Sequence, residues 1–443
     1  MLNSERANGA LKYFRENQAW MEDKVNSGIE ANRKGWMRIS FVDAEGNPVE
    51  NVRVKLEQTT HDFKFGCNLF MLGELGSEEK NETFKKLYPK LFNLATLPFY
   101  WNAIEPEEGV LRFGKDSAPM YRRPNPDLCL EYCAEHGIEP KLHCLVYDQW
   151  SPAWVPRNDE QKVRYLLDRR IRQIAERYRD AIPSMEVTNE TLHRNSNPTM
   201  LFGAPDLVEW SFQQARKYLP YTRLIINEAT QYIWKYPFVH NRAAYYSQIQ
   251  RAIANGASID SIGMQFHMFW PQELEAAEAK AVCDPKQLYR VMDQYADFGK
   301  PIQVTEVTVP AYSQEAEDEA IQAEILKNLY KVWFSHPNME AIVYWNMVDG
   351  YAHGAQPGDM TKGENRYHGA LLRHDMTPKP AFHVLDGLIN KTWHTSLEAT
   401  AQGTLDAKGF YGTYALEAEV NGKKIQTTVH LSKGAKNQFT VVV

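Results

Sequence analysis

Eight short runs of apolar and β-branched residues recur along the chain with helical stretches between them. They are FKFGCNLF (63–70), LFNLATLPF (91–99), PKLHCLVYD (140–148), SMEVTNE (184–190), RLIINEA (223–229), SIGMQFHM (261–268), IQVTEVTV (302–309) and AIVYWNMVD (341–349). Near-continuous apolar runs of this length suit strands buried on both faces. The intervening segments, such as VRYLLDRRIRQIAERYRD (163–180) and EAIQAEILKNLYKVWF (319–334), carry apolar residues at helical spacing. Strand–helix alternation implies parallel strands joined by right-handed crossovers. Eight such units predict a (β/α)8 barrel of the α/β class. An open doubly wound sheet is the alternative, and the lack of a Gly-rich phosphate turn after the first run counts against it.

The flanks read differently. Residues 5–34 predict a polar helix, and RISFVDAEGNPVENVRVKLEQ predicts two strands around a turn. After DGLINKTW (386–393) the tail is β-rich, with an Asn421-Gly422 hairpin turn. The expected organisation is an accessory helix and hairpin over 1–59, a catalytic barrel over 60–390, and an accessory β segment over 391–443. The two end segments are expected to form one small β module. Five cysteines, an odd number, fit neither a disulfide framework nor a zinc ribbon; Cys129 and Cys133 stand at helical spacing and read as reduced, buried thiols. A formal charge of −6 gives no basic footprint for nucleic acid. No apolar run reaches the ~20 residues of a membrane helix. MLNSERANGALKYFREN lacks the apolar centre of a secretory signal, so the expectation is a cytoplasmic protein, or a secreted one whose signal has been removed.

In such a barrel the C-terminal strand ends form the mouth of the active site. The third run ends near His143 and Tyr147, the fourth at Asn189-Glu190 and the fifth at Asn227-Glu228. The sixth contributes Gln265 and His267, the seventh Thr305-Glu306, and the eighth Trp345 and Asp349. Polar groups at the ends of buried strands carry a desolvation cost unless paired or used. Each has a structural explanation when taken singly. A Glu after an apolar strand pairs with a cation, Gln265 and His267 bond within the barrel top, and Trp345 is core. Six strands bringing carboxylates, amides and imidazoles to one rim point to a shared use. Two carboxylates on non-adjacent strands beside an aromatic wall suit glycoside hydrolysis. That reaction needs a protonated acid at the leaving oxygen and an ionised carboxylate facing the sugar carbon.

The same residues resemble glycoside hydrolase family 10, the family of endo-β-1,4-xylanases. EVTNE is similar to the family's V-V-N-E, VTEVTV to I-T-E-L/D, and SIGMQFHM to G-I-G-x-Q-x-H. HCLVYDQWSPAWV resembles H-x-L-V-W-H-x-x-x-P-x-W, and NAIEPEEG, YWNMVDGY and TPKPAFHVL match further family motifs in order. The resemblance implies a retaining mechanism on a xylan-like plant polysaccharide, without cofactor or metal. Glu190 would be the acid/base and Glu306 the nucleophile. Asn189 would bond the sugar 2-hydroxyl, Gln265 and His143 would contact that sugar, His267 would orient Glu306, and Trp345 would form an aromatic wall. Once Glu306 is glycosylated its charge is gone, which lets Glu190 serve as base towards water.

Departures from the family concentrate next to that reactive subsite. The family's E-N-x-x-K-W after the second strand is Thr96-Leu97-Pro98-Phe99-Tyr100-Trp101, so Leu97 and Tyr100 replace an Asn and a Lys that hold the next sugar. Tyr147 and Asp148 stand for Trp and His, His353 falls near a second wall Trp, and Glu228 stands for Asp. An altered outer glycone subsite follows, and with it a shifted specificity. Other readings are a hydrolase of a different β-glycoside or a decorated oligosaccharide, and a non-catalytic carbohydrate-binding barrel. A metal hydrolase using His143, His193, His267 and Asp349 is a further alternative. The first run, FKFGCNLF, lacks the His pair that such enzymes carry. His193 and Arg194 receive no role.

Overall fold

A computed structural model of the chain describes residues 2–193, 195–235 and 239–443; Arg194 lies outside the described residues. The chain passes through β1 (Lys34–Val42) and β2 (Val52–Gln58) before the eight apolar runs. These form β3 (Lys64–Asn68), β4 (Leu94–Pro98), β5 (Glu139–Val146), β6 (Ser184–Asn189), β7 (Arg223–Glu228), β8 (Ser261–His267), β9 (Ile302–Thr308) and β10 (Met339–Tyr344). They close into a barrel in sequence order, with β10 beside β3 and parallel pairing throughout. The last strands are β11 (Ser396–Ala401), β12 (Thr404–Phe410), β13 (Gly412–Val420), β14 (Lys423–Leu431) and β15 (Gln438–Val442).

Local chemistry sets the crossover helices. The helix Pro126–His136 starts where Asn125 Oδ1 accepts from Leu128 N at 3.2 Å, has proline at its first position, and ends at Gly137 with φ 64°. Cys129 and Cys133 lie on its buried stripe, and all five cysteines are free and buried. The helix Glu160–Tyr178 is capped by Asp159 and buries Val163, Leu166, Leu167, Ile171 and Ile174 against the strands. Among the described residues no helix is long and apolar enough to cross a membrane.

Two departures from regular pairing matter for the site. Between β8 and β9 the register passes from Met264↔Val304 to Gln265↔Glu306, so β9 holds one extra residue at Thr305. Between β6 and β7 it passes from Glu186↔Ile225 to Thr188↔Ile226, an extra residue in β6. Such bulges re-aim side chains that a regular strand would send to opposite faces.

Outside the barrel, β1 lies between β12 (antiparallel) and β15 (parallel), while β2 lies between β11 and β13 in a four-stranded sheet ending at β14. The module is therefore built from both flanks. The hairpin expected from RISFVDAEGNPVENVRVKLEQ closes only at its turn, where Val42 bridges Pro48 antiparallel; beyond it β1 and β2 belong to different sheets. Met37, Ile39 and Phe41 of one and Val52, Val54 and Leu56 of the other meet in a shared apolar core. Alternation marks a one-sided strand but does not name its partner. Here the turn at Asp43–Asn47 and the positive φ of Asn51, 58°, carry the chain across to the second layer. The Asn421-Gly422 turn, with φ 50° and 79°, joins β13 to β14.

The N-terminal helical segment, assigned with the hairpin to residues 1–59, packs on the barrel as well as touching this module through Glu30 and Lys408. Ala7, Leu11, Phe14, Met21 and Val25 are buried in the barrel's apolar cluster, with Gln18–Asn32 packed on the helix Ala316–Ser335. Arg33 links this segment to the barrel. It is buried against Phe63 and Phe334 and donates to the carbonyls of Phe334, His336 and Met339, the last at 2.8 Å. A cation at a helix C-terminus satisfies carbonyls that have no partner within the helix. Arg33→Ala is expected to lower the unfolding free energy by roughly 2–3 kcal/mol, because it strips buried acceptors of a charged donor. Denaturant titration checks this, and a variant as stable as wild type would show that the contact contributes nothing.

Candidate active site

The strand ends converge on one cavity of about 340 Å³ at the C-terminal mouth of the barrel. All nine predicted site residues line it: Tyr100, His143, Tyr147, Asn189, Glu190, Gln265, His267, Glu306 and Trp345. Glu190 follows β6 with φ 52°, a left-handed conformation that costs a non-glycine residue energy. This backbone turn lets the consecutive side chains of Asn189 and Glu190 face one neighbour. Gln265 Nε2 donates to Glu190 Oε1 at 3.0 Å and to Asn189 Oδ1 at 3.2 Å, while Tyr147 O–H donates to Glu190 Oε2 at 2.6 Å.

Glu306 is buried on β9. Asn227 Nδ2 donates to its Oε1 at 3.0 Å, and His267 Nε2 lies 3.0 Å from its Oε2. With Glu306 ionised, Nε2 carries the imidazole proton, and Nδ1 accepts from the Thr308 hydroxyl at 3.0 Å. Burial pushes Glu306 up to about 8, with His143 acting the other way and the charges of Glu186 and Glu190 adding to the rise. Burial likewise lowers His267 to about 4, so its ring is neutral beside the carboxyl.

Several residues that sequence reasoning left without a role complete the arrangement. Asn227 also donates to Asn189 Oδ1 at 2.9 Å, and its own Oδ1 accepts from Thr305 Oγ1 at 2.6 Å. The bulge in β9 is what allows both Thr305 and Glu306 to reach it. Gly263 leaves room for this amide, since a Cβ there would stand 2.7 Å from Asn227 Oδ1. Beneath lies a buried charge cluster: Lys141 Nζ is 2.6 Å from Glu186 Oε1, and His143 Nδ1 bonds Glu186 Oε2. Burial acts to raise Glu186, but the charges of Lys141 and His143 outweigh it and hold the carboxylate down at about 2.

His143, Glu186 and Glu306 each bring a ligand-capable atom within 4.8 Å of the others. Lys141, Asn227 and His267 already bond the oxygens of the two carboxyls. The metal set weighed from sequence does not assemble: Asp349 is ion-paired to Lys379, and His193 bonds Gln231 at 2.9 Å. Asp349 is thus a structural anchor rather than a rim group. Asp148 also has a local task, accepting from Asn195 Nδ2 at 2.6 Å and Thr199 N at 3.1 Å across the loop that follows Glu190. Glu228, pushed up to about 8 by burial, accepts from the backbone of Leu192 at 2.9 Å and fixes the same loop.

The aromatic wall is continuous. Trp345 contacts Phe70, His143 and His267 edge-on, and Tyr100 packs against His143 and Trp150. Trp150 in turn meets His353 with ring centroids 5.3 Å apart. Arg122 and Arg123, from the loop before Asn125, also line the cavity. No periodicity marks such a loop, and the sequence reading passed over it.

Comparison with known proteins places the chain. The model of glycosyl hydrolase family 10 matches residues 63–386. The anti-sigma-I factor RsgI6 of Acetivibrio thermocellus is 25% identical over 427 residues, covering 93% of this chain and 49% of that protein. Endo-1,4-beta-xylanase B of Cellvibrio japonicus is 26% identical over 285 residues, covering 64% and 41%. The chain thus spans about half the length, or less, of these two relatives. The crystal structure of xylanase 10B from Thermotoga petrophila in complex with xylobiose superposes with TM-score 0.59 at 18% identity, covering 75% of this chain and 95% of that one. That likeness is one of fold.

A buried carboxyl that favours its proton opposes folding as pH rises. For Glu306 the native value of about 8 exceeds the ordinary 4.5, so the native state keeps a proton that the unfolded state releases. Stability attributable to this group is full below about 4.5 and falls as pH climbs towards 8. Glu306→Gln is therefore expected to be more stable than wild type by roughly 1 kcal/mol or more near pH 8, with the gap shrinking towards pH 5. Thermal melts across that range check it; a pH-independent gap would rule out Glu306 as the cause.

Proposed function

Since the chain belongs to glycosyl hydrolase family 10, we propose that it is a retaining glycoside hydrolase acting on β-1,4-linked, xylan-like polysaccharide, with an altered outer glycone subsite. The observation that carries this reading is the different footing of two carboxyls in one cavity. Glu190 sits at the rim under a phenol and an amide, and Glu306 is buried between an amide and a neutral imidazole. A displacement through a glycosyl-enzyme intermediate needs this kind of unlike pair.

In the proposed reaction Glu190 gives its proton to the glycosidic oxygen as the bond to the anomeric carbon breaks. A Glu306 oxygen forms the new bond to that carbon. Water then attacks, Glu190 takes its proton, and Glu306 leaves as a carboxylate. Asn189 supports the assignment: its Nδ2 is buried without a partner, so a sugar hydroxyl against the wall would satisfy it. Gln265 and His143 stand where they would meet the same sugar, and His267 holds Glu306 through Nε2. Trp345, Tyr100 and Tyr147 offer ring faces and edges suited to the apolar faces of pyranoses. At the outer subsite Leu97 is fully buried and presents nothing to a sugar, while Tyr100 is covered by Arg123. The polar set that would grip a plain chain is missing there, which shifts the specificity towards shorter or decorated substrates.

Wild type is expected to release a first product with the β configuration retained, read by NMR during turnover; an inverted product sinks the mechanism. Glu190→Ala should slow unactivated oligosaccharides by about 10²–10⁴-fold, yet slow the glycosylation step of a dinitrophenyl β-glycoside far less, since that leaving group needs no proton. Glu306→Ala should abolish turnover of both. The acidic limb of the kcat/KM profile reports ionisation of Glu306 in the free enzyme. It is expected above the ordinary carboxylate value of 4.5 because burial raises that group.

A further inference from the structure

One wall of the cavity carries two guanidinium groups whose charge is not balanced locally. Arg122 and Arg123 are 4% and 8% exposed and line the same cavity as Glu190 and Glu306. Neither forms an ion pair among the described residues. The carboxylate that acts on both is Glu364, whose Oε2 accepts from Asn346 Nδ2 at 3.3 Å. Arg122 donates to Asn346 Oδ1 at 3.3 Å and to the Tyr351 carbonyl, and its Nε is buried without a partner. Arg123 donates to the Arg122 carbonyl at 2.8 Å, and its guanidinium carbon stands over Tyr100, 4.0 Å from the ring centre. Two buried cations against one acid, with Arg123 donating one hydrogen bond among the described residues, is a costly arrangement.

The neighbourhood extends the same field. A second cavity adjoins the first and shares Arg122, Arg123, Trp150 and His353 with it; Asp359 and Lys362 stand farther along its wall. His353 is held below its ordinary value by burial and by both arginines, so it adds no countercharge. A group branching from a sugar in the main cavity would enter this side space past the two guanidiniums.

We propose that Arg122 and Arg123 form a subsite for an anionic substituent on the substrate, a uronic acid carboxylate or a sulfate ester. This deepens the hydrolase reading and rests on it. The planar fork of Arg123, fixed on Tyr100, matches a carboxylate through two parallel N–H bonds. The positive charge thus stands beside Tyr100.

The test uses three matched β-1,4-linked xylo-oligosaccharides: neutral, carrying one uronic acid, and carrying one sulfate. Wild type is expected to favour one charged substrate over the neutral parent by about tenfold or more in kcat/KM. Arg123→Gln should cut that preference by about tenfold, and Arg123→Lys, which keeps the charge, should restore part of it. The charged arm that is preferred identifies the anion. Equal, measurable rates on all three, or an Arg123→Gln loss equal on all three, overturns the proposal and leaves Arg123 as a clamp on Tyr100. Calorimetric binding of the same three compounds to Glu306→Ala is independent of turnover. Tighter, salt-sensitive binding of a charged compound supports the subsite even if wild type hydrolyses none, a result that would sink the hydrolase reading alone. Equal affinity, or no binding of any, overturns the subsite.

Discussion

Asn227 has two amide hydrogens and three acceptors around them: Asn189 Oδ1 at 2.9 Å, Glu306 Oε1 at 3.0 Å and Glu186 Oε2 at 3.3 Å. Its own oxygen is held by Thr305. A single buried amide therefore sets the relative positions of three strands, β6, β7 and β9. The proposed nucleophile, the amide before the proposed acid and the buried ion cluster share it as a reference point. Low dielectric makes each of these bonds strong and each missing one costly, so the set stands or falls together. Gly263 belongs to the same constraint, because a side chain there would displace the amide.

Below that amide the barrel interior is charged rather than oily. Lys141, His143 and Glu186 are each no more than 1% exposed, and Leu94, Ala341 and Val343 make only a small separate apolar cluster. A buried ion group of this kind is weak support for stability and strong support for geometry. Lys141 and His143 keep Glu186 ionised. His143 then presents a positive edge towards Glu306, opposing the burial that favours the proton there. The proposed reaction needs Glu306 as an anion at the moment of attack: His143, Lys141 and the two N–H donors favour that anion, while burial and the charge of Glu186 favour its proton. Sites often hold such conflicts, and the rest of the fold must supply the difference.

How much of this could be read from the sequence follows from what each signal encodes. The eight apolar runs are the eight barrel strands, because burial on both faces leaves its mark residue by residue. Asn189-Glu190 and Thr305-Glu306 stood out as polar ends on apolar strands, which is a local mark too. The bulges in β6 and β9 carried no such mark, and so Asn227 was visible at a strand end without its role as the shared donor. Arg122 and Arg123 read as ordinary loop residues, since neither burial nor an absent countercharge is written in a loop. The hairpin expected of β1 and β2 goes no further than its turn for a related reason. Alternation tells which face is buried, and the choice of partner is made by distant strands.

Strand β1 is held between β12 and β15, with Arg38 paired to Gln438, 400 positions later. That pairing ties the timing of the module's assembly to the ribosome. Every barrel strand is made before the three-stranded sheet can close, so β1 and β2 must wait as unpaired, one-sided strands through the whole synthesis of the barrel. Pairings of such long sequence separation form late, and open strand edges in the interval invite wrong partners. Charged side chains on the outer faces, Arg38 and Arg53 among them, are what such waiting strands can use to stay apart from other chains. The barrel can gather its own core meanwhile, and β15 can close along β1 only after the whole chain between them has been made.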